Sequence, residues 1–199
     1  MLEILDHIGL FAFALSGVLT ASYKKFDAIG GYVIAFTTAL GGGTIRDILL
    51  HQEIAWTTSA SQITIVMIAA TIGILFHNLL ERWKRTLFLF DTIGIATFTI
   101  IGVQKGIEHN QLYIIALFLG LITATFGGML RDVLCKEVPL IFREEMYAIP
   151  CLSGGLFYIF SDYMGWTNQS FVLWISIGII IAFRTLAVIF HWKSPLMTR

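Results

Sequence analysis

Two short segments of this sequence place charge directly after glycine: Gly41-Gly42-Gly43-Thr44-Ile45-Arg46-Asp47 and Phe126-Gly127-Gly128-Met129-Leu130-Arg131-Asp132. Each glycine costs a helix about 1 kcal/mol relative to alanine, and a run of them lets backbone carbonyls leave their intrahelical partners. Both segments lie in apolar surroundings, where such a break is tolerated only if protein buries it or it lines a wet cavity. The other reading, close helix packing through small residues, is compatible with the first. Phosphate binding is excluded by spacing, because Gly41, Gly43 and Arg46 do not complete GxGxxG and no GK[ST] follows. Arg46, Asp47, Arg131 and Asp132 would each cost about 2.5–3.5 kcal/mol at a helix centre facing lipid, so they face protein or water.

This chemistry is that of a path rather than of a reaction. No nucleophile–base pair or metal cluster stands at a recognisable spacing, so no enzyme is expected. Thr38 and Thr123, with Ser16, Thr37 and Thr125, put hydroxyl oxygens near membrane depth, where they coordinate an ion or bond back to the preceding turn; the back-bond is the commoner outcome. The histidines are single, and Cys135 and Cys151 lack CxxC spacing, so no metal or cofactor is expected beyond a permeant ion.

The elements that must position these groups are membrane helices. With 57% apolar and 13% charged residues and a mean hydropathy of +0.81, the chain has too little polar surface for a soluble globule, and lipid is its solvent. A net charge of zero without a basic face excludes nucleic acid as a partner. Apolar runs near 4–22, 28–50, 61–80, 86–103, 112–134, 146–161 and 171–191 give seven spans, the sixth short and carrying Pro150. Trp56, Trp83, Trp166 and Trp192 fall at span ends, as interfacial anchors do. Alternate connections hold Lys24, Lys25, Arg82, Lys84, Arg85, Lys136, Arg143, Lys193 and Arg199, and the opposite side only Lys105. That asymmetry predicts an outside amino terminus and a cytoplasmic carboxyl terminus. The acidic start, Glu3 and Asp6, argues against a cleavable signal peptide.

The chain also repeats. An offset of 85 residues aligns Asp6 with Asp91, Gly9 with Gly94, Phe13 with Phe98, Gly17 with Gly102, Thr38 with Thr123, and Gly42 through Asp47 with Gly127 through Asp132. Three spans per copy force the second copy upside down. The predicted fold is an all-α polytopic membrane protein: residues 1–85 and 86–165 as inverted three-helix repeats, and 166–199 as a seventh helix with a cytoplasmic tail. Inverted repeats of transport proteins hold their path near the midplane between the copies. Adjacent helical residues point about 100° apart, which disfavours Arg46–Asp47 pairing and predicts Asp6–Arg46 and Asp91–Arg131 bridges instead. Asp47 and Asp132 then remain free at two acidic mouths.

The doubled GGG-x-x-RD and GG-x-x-RD segments on duplicated three-helix units resemble the bacterial relatives of the trimeric intracellular cation (TRIC) channels, a family also named for glycine transport. The resemblance covers nearly the whole chain and implies a homotrimer in the bacterial inner membrane, each protomer with its own hourglass pore around kinked second and fifth helices, passing potassium and other monovalent cations. Carried onto this sequence, the kink positions are Gly41, Gly42, Gly43, Gly127 and Gly128, with Arg46, Asp47, Arg131 and Asp132 as the associated charges. Phe126 departs from the pattern, standing where the first copy has Gly41, at a place where it could narrow or gate the second half of the path. Two function classes stay open: a channel with a continuous polar lane, and a carrier of a small solute such as glycine with one midplane pocket.

Overall fold

The computed structural model describes residues 2–81, 86–143, 146–166 and 169–192. Of the residues invoked above, Arg82, Trp83, Lys84, Arg85, Lys193 and Arg199 lie outside the described residues. The described structure is all helical: α1 (Leu2–Tyr23), α2 (Ala28–Leu49), α3 (Ala60–Leu75), α4 (Thr86–Glu108), α5 (Tyr113–Leu134), α6 (Ala148–Tyr163) and α7 (Gln169–Ile189). Short helical turns at Ala55–Thr58, His77–Glu81 and Leu140–Phe142 join them.

Five of these helices, α1, α2, α4, α5 and α7, are long and apolar enough to cross a membrane. The other two have 16 residues each, or about 24 Å at 1.5 Å per residue, short of a hydrocarbon core of about 30 Å. The run expected to continue to residue 80 stops at Leu75, because Phe76 leaves helical geometry and the His77 ring Nδ1 sits 2.9 Å from the Ile74 carbonyl. Pro150 is accommodated as the third residue of α6, where its missing N–H has no intrahelical partner to lose.

The repeat is visible in the packing. In the first copy α1, α2 and α3 pack on one another, and α4, α5 and α6 do the same in the second, while α7 lies against α4 and α6. The copies meet through α1 against α4 and α2 against α5. Gly9 of α1 faces Phe98 of α4 while Gly94 of α4 faces Phe13 of α1, so these two helices run antiparallel. The Phe13 and Phe98 rings meet there at a tilt of 52° with centroids 5.2 Å apart. Even the turns repeat: Lys25 and Asn110, then His51 and Lys136, each take a left-handed φ between 52° and 58° just beyond a helix end. Lys24, after α1, pairs with Glu137, after α5, which puts these two connections at one end of the bundle. Lys105 of α4 approaches Asp47 of α2 at the opposite end.

Candidate ion path and its charge clusters

The glycine segments meet where α2 crosses α5. A β-carbon on Gly42 would lie 2.0 Å from the Thr123 carbonyl oxygen, and one on Gly127 would lie 2.1 Å from the Thr38 carbonyl oxygen. Only glycine lets the two backbones come so close. Both helices run through these residues without interruption, which corrects the expected release of carbonyls: here the glycine runs serve the crossing and leave the helical backbone unbroken. Thr38 and Thr123 are fully buried beside it, and each hydroxyl donates at 2.6 Å to the carbonyl four residues back, of Ile34 and Leu119. Gly41 meets Leu130, while Gly43 and Gly128 turn towards Arg46 and towards Tyr147 and Asp91. Phe126 is half-buried.

The charges pair differently from the expectation in three of four places. Arg46 Nε donates to Asp47 Oδ1 at 2.8 Å, and Arg131 Nε donates to Asp132 Oδ1 at the same distance. The guanidinium stem is long enough to bend across the angle between neighbouring residues. Asp47 and Asp132 are therefore not free. The second oxygen of Asp47 accepts the Ala55 N–H at 3.1 Å, and that of Asp132 accepts the Leu140 N–H at 3.0 Å, so each carboxylate also starts the short turn that follows. Asp6 takes the Gln62 amide at 2.6 Å and not Arg46. Asp91 is the exception: its Oδ1 receives Arg131 Nη1 at 3.0 Å and its Oδ2 receives Arg184 Nη2 at 2.6 Å.

Two small vestibules flank the crossing, and their walls correspond at the same offset of 85. Asp47, Gly43, Ala55 and Gln62 line the first where Asp132, Gly128, Leu140 and Tyr147 line the second. The first leaves about 10 Å³ in which a water-sized body can move, and the second leaves none. Among the described residues the charges of each buried cluster beside these vestibules balance: Asp6 and Asp47 against Arg46 and Lys105 at the first, Asp91 and Asp132 against Arg131 and Arg184 at the second. Neither Asp47 nor Asp132 stands as the free acidic group expected.

Sequence reasoning assigned no role to Gln62, Tyr147 or Arg184, and it read Trp56 as an interfacial anchor. Gln62 and Tyr147 sit at equivalent positions and reach the equivalent carboxylates, Tyr147 at 3.4 Å from Asp91. Their chemical difference hid them from a comparison of identities. Trp56 is half-buried over the first vestibule, its Nε1 donating to Thr44 at 2.9 Å and its ring on Phe36, and so is packed rather than a free interfacial anchor. Arg184 carried a signal of its own, since a lone guanidinium inside an apolar run requires a partner. It lies with its carbon 4.3 Å from the Tyr147 ring centre and 5.2 Å from that of Phe88. Ser16 accepts a hydrogen bond from Arg131 and so ties α1 to the second cluster.

Comparison with known proteins agrees with this duplicated plan. A family model described as glycine transporter matches residues 3–78 and again residues 88–163, the same displacement as the internal repeat. The UPF0126 inner membrane protein YadS of Escherichia coli K12 is 33% identical over 193 residues, spanning 96% of this chain and 93% of its own. A UPF0126 membrane protein of Vibrio cholerae is 37% identical over 178 residues, 87% of this chain and 73% of that one. Among solved structures, the TRIC trimeric intracellular cation channel orthologue from Rhodobacter sphaeroides superposes with a TM-score of 0.91 at 29% identity, covering 96% of this chain and 98% of that one. A TRIC cation channel solved to explain conductance gives 0.89 at 30% identity, covering 99% and 97%.

Proposed function

The chain belongs to the glycine transporter family, whose solved relatives are TRIC channels, and from that premise we propose that it is a monovalent cation channel of the bacterial inner membrane, passing potassium through one path in each protomer of a homotrimer. The observation that carries this reading is the pair of equivalently walled vestibules on the two sides of the Gly42–Gly127 crossing. The path runs from one vestibule to the other, and α2 against α5 is its closed gate. Seven spans complete the bundle, with α3 and α6 tilted or seated against their neighbours, the amino terminus outside and the carboxyl terminus cytoplasmic.

Because both clusters are neutral, net charge at the mouths cannot be what favours cations in this conformation. Carbonyl oxygens supply an alternative. Those of Thr38 and Thr123 point across the crossing at the opposing glycines, and a carbonyl keeps a second lone pair beyond its helical bond. Once α2 and α5 part, these dipoles line the opening with partial negative charge, the device by which carbonyl rings coordinate cations in channels.

The family name favours one other reading, a carrier for glycine that exposes a central pocket to each side in turn. Purified protein in a planar bilayer with potassium chloride on both sides separates the two. The channel gives unitary currents, which Gly42→Leu and Gly127→Leu reduce. Absence of such currents together with saturable glycine uptake into proteoliposomes would select the carrier.

A further inference from the structure

The two charge clusters match in sign but not in how firmly their last member is held. In the second, Arg184 is buried, hydrogen-bonded to Asp91 at 2.6 Å and stacked on Tyr147. In the first, the corresponding balance is completed by Lys105 from α4, whose side chain is 36% exposed and whose ammonium stands 3.8 Å from Asp47 Oδ1, beyond hydrogen-bond distance. Asp47 does not depend on it, being already held by Arg46 and by the Ala55 N–H.

From this contrast we propose that Lys105 is the movable countercharge of the first vestibule, the residue that sets how strongly that mouth draws cations into the path. The inference rests on the channel reading. A lysine side chain has four rotatable carbons and a compact, strongly hydrated charge, so it can withdraw to solvent without breaking a hydrogen bond to Asp47. Arg46 cannot, being 3% exposed and bonded to Asp47. With Lys105 withdrawn, Asp6, Asp47 and Arg46 leave the vestibule one negative charge, and a cation entering the mouth replaces the ammonium as its neutralising partner. Among the described residues the second vestibule has no equivalent device, since Arg184 is buried and hydrogen-bonded to Asp91. The two mouths therefore differ, although the crossing between them is symmetric.

The experiment is single-channel recording of wild type, Lys105→Arg, Lys105→Met and Lys105→Glu, with Lys25→Met as an exposed control at the opposite end of the bundle. One unit charge about 5 Å from the entry changes local cation concentration by roughly fourfold at the dielectric of bulk water, and by more where the dielectric is lower. At low salt the current carried by cations entering at the first vestibule should rise in the order Lys and Arg, then Met, then Glu. The current from the other side should change little, so the variants should rectify. Raising the salt to about 1 M, where the screening length falls to about 3 Å, should abolish the difference; a merely structural effect would persist. Wild-type currents with equal low-salt conductance across the series overturn the inference and leave the channel reading intact. Absence of unitary currents in wild type overturns the channel reading and this inference with it.

Discussion

Replacing Gly42 and Gly43 in turn by alanine sets two opposing effects against each other at adjacent positions. Alanine favours an uninterrupted helix over glycine by about 0.8–1.0 kcal/mol, and both positions are helical. At Gly43 nothing opposes that gain, since the new carbon would stand 3.6 Å from Arg46 Nη2, an ordinary contact. At Gly42 it would stand 2.0 Å from a backbone carbonyl oxygen, more than 1 Å inside ordinary contact. A carbonyl within a helix cannot rotate aside, so α2 and α5 must part, at the upper end of the about 1–3 kcal/mol that overpacking costs. The net expectation is a loss of about 1–2 kcal/mol for Gly42→Ala and a gain of up to about 1 kcal/mol for Gly43→Ala. Gly127→Ala, at 2.1 Å from the Thr38 oxygen, should behave like Gly42→Ala. The double variant should lose less than the sum, because the separation forced by the first methyl already makes room for the second. Thermal unfolding of the purified proteins in one detergent measures the order. A Gly42→Ala protein as stable as Gly43→Ala would refute the close crossing.

Arg131→Ala should destabilise by about 3–5 kcal/mol, because it strips Asp91 and Asp132 of a buried partner at once; a cycle of Asp91→Asn with Arg184→Met should show coupling above the roughly 0.5 kcal/mol expected of independent sites. Lys24 holds the Glu137 carboxyl below its ordinary range, so the pair's contribution is present above that ordinary range and is lost as pH falls through the depressed value. Acid melting curves of Lys24→Met should accordingly fall off less steeply than those of wild type. A phosphatase fused after Arg199 should be inactive in cells, and an active fusion would reverse the proposed topology.

The periodicities that lipid and duplication impose were legible in the sequence; the reach of individual side chains was not. Helix positions followed from apolar runs because lipid tolerates few alternatives, and the 85-residue register carried the glycines, threonines and carboxylates to equivalent places. Asp91–Arg131 was legible because cost and orientation both required it. Asp6–Arg46 rested on the same logic, but Gln62 satisfies Asp6 locally while Asp47, fixed by the Ala55 N–H, offers Arg46 a nearer anchor. A uniform angle between helical neighbours describes Cα–Cβ directions and says little about a guanidinium several bonds further out. Residue identity at the repeat offset likewise could not pair Gln62 with Tyr147, a match of polarity rather than of type, and Lys105 and Arg184 do not share the 85-residue register at all.

The crossing of α2 and α5 constrains how any path between the copies can open. The Gly42–Thr123 and Gly127–Thr38 contacts are one contact related to itself by the repeat, lying within a turn of each other on the same pair of helices. Separating either separates both, so two gates in series cannot be built from these residues. A substitution on either side acts on the same barrier and changes opening for ions from both directions alike. Directionality must then reside away from the crossing, where the copies have diverged. The described walls differ there at Leu40 against Thr125, Thr44 against Met129, Ala55 against Leu140, Trp56 against Ile141 and Gln62 against Tyr147, and the charge beside the first is balanced by an exposed lysine, that beside the second by a buried arginine from outside the repeat. The wall differences exchange one neutral residue for another. Only the difference between lysine and arginine changes how readily a vestibule can acquire charge, so on the proposed channel reading any asymmetry of transport is expected to be an electrostatic property of the first vestibule.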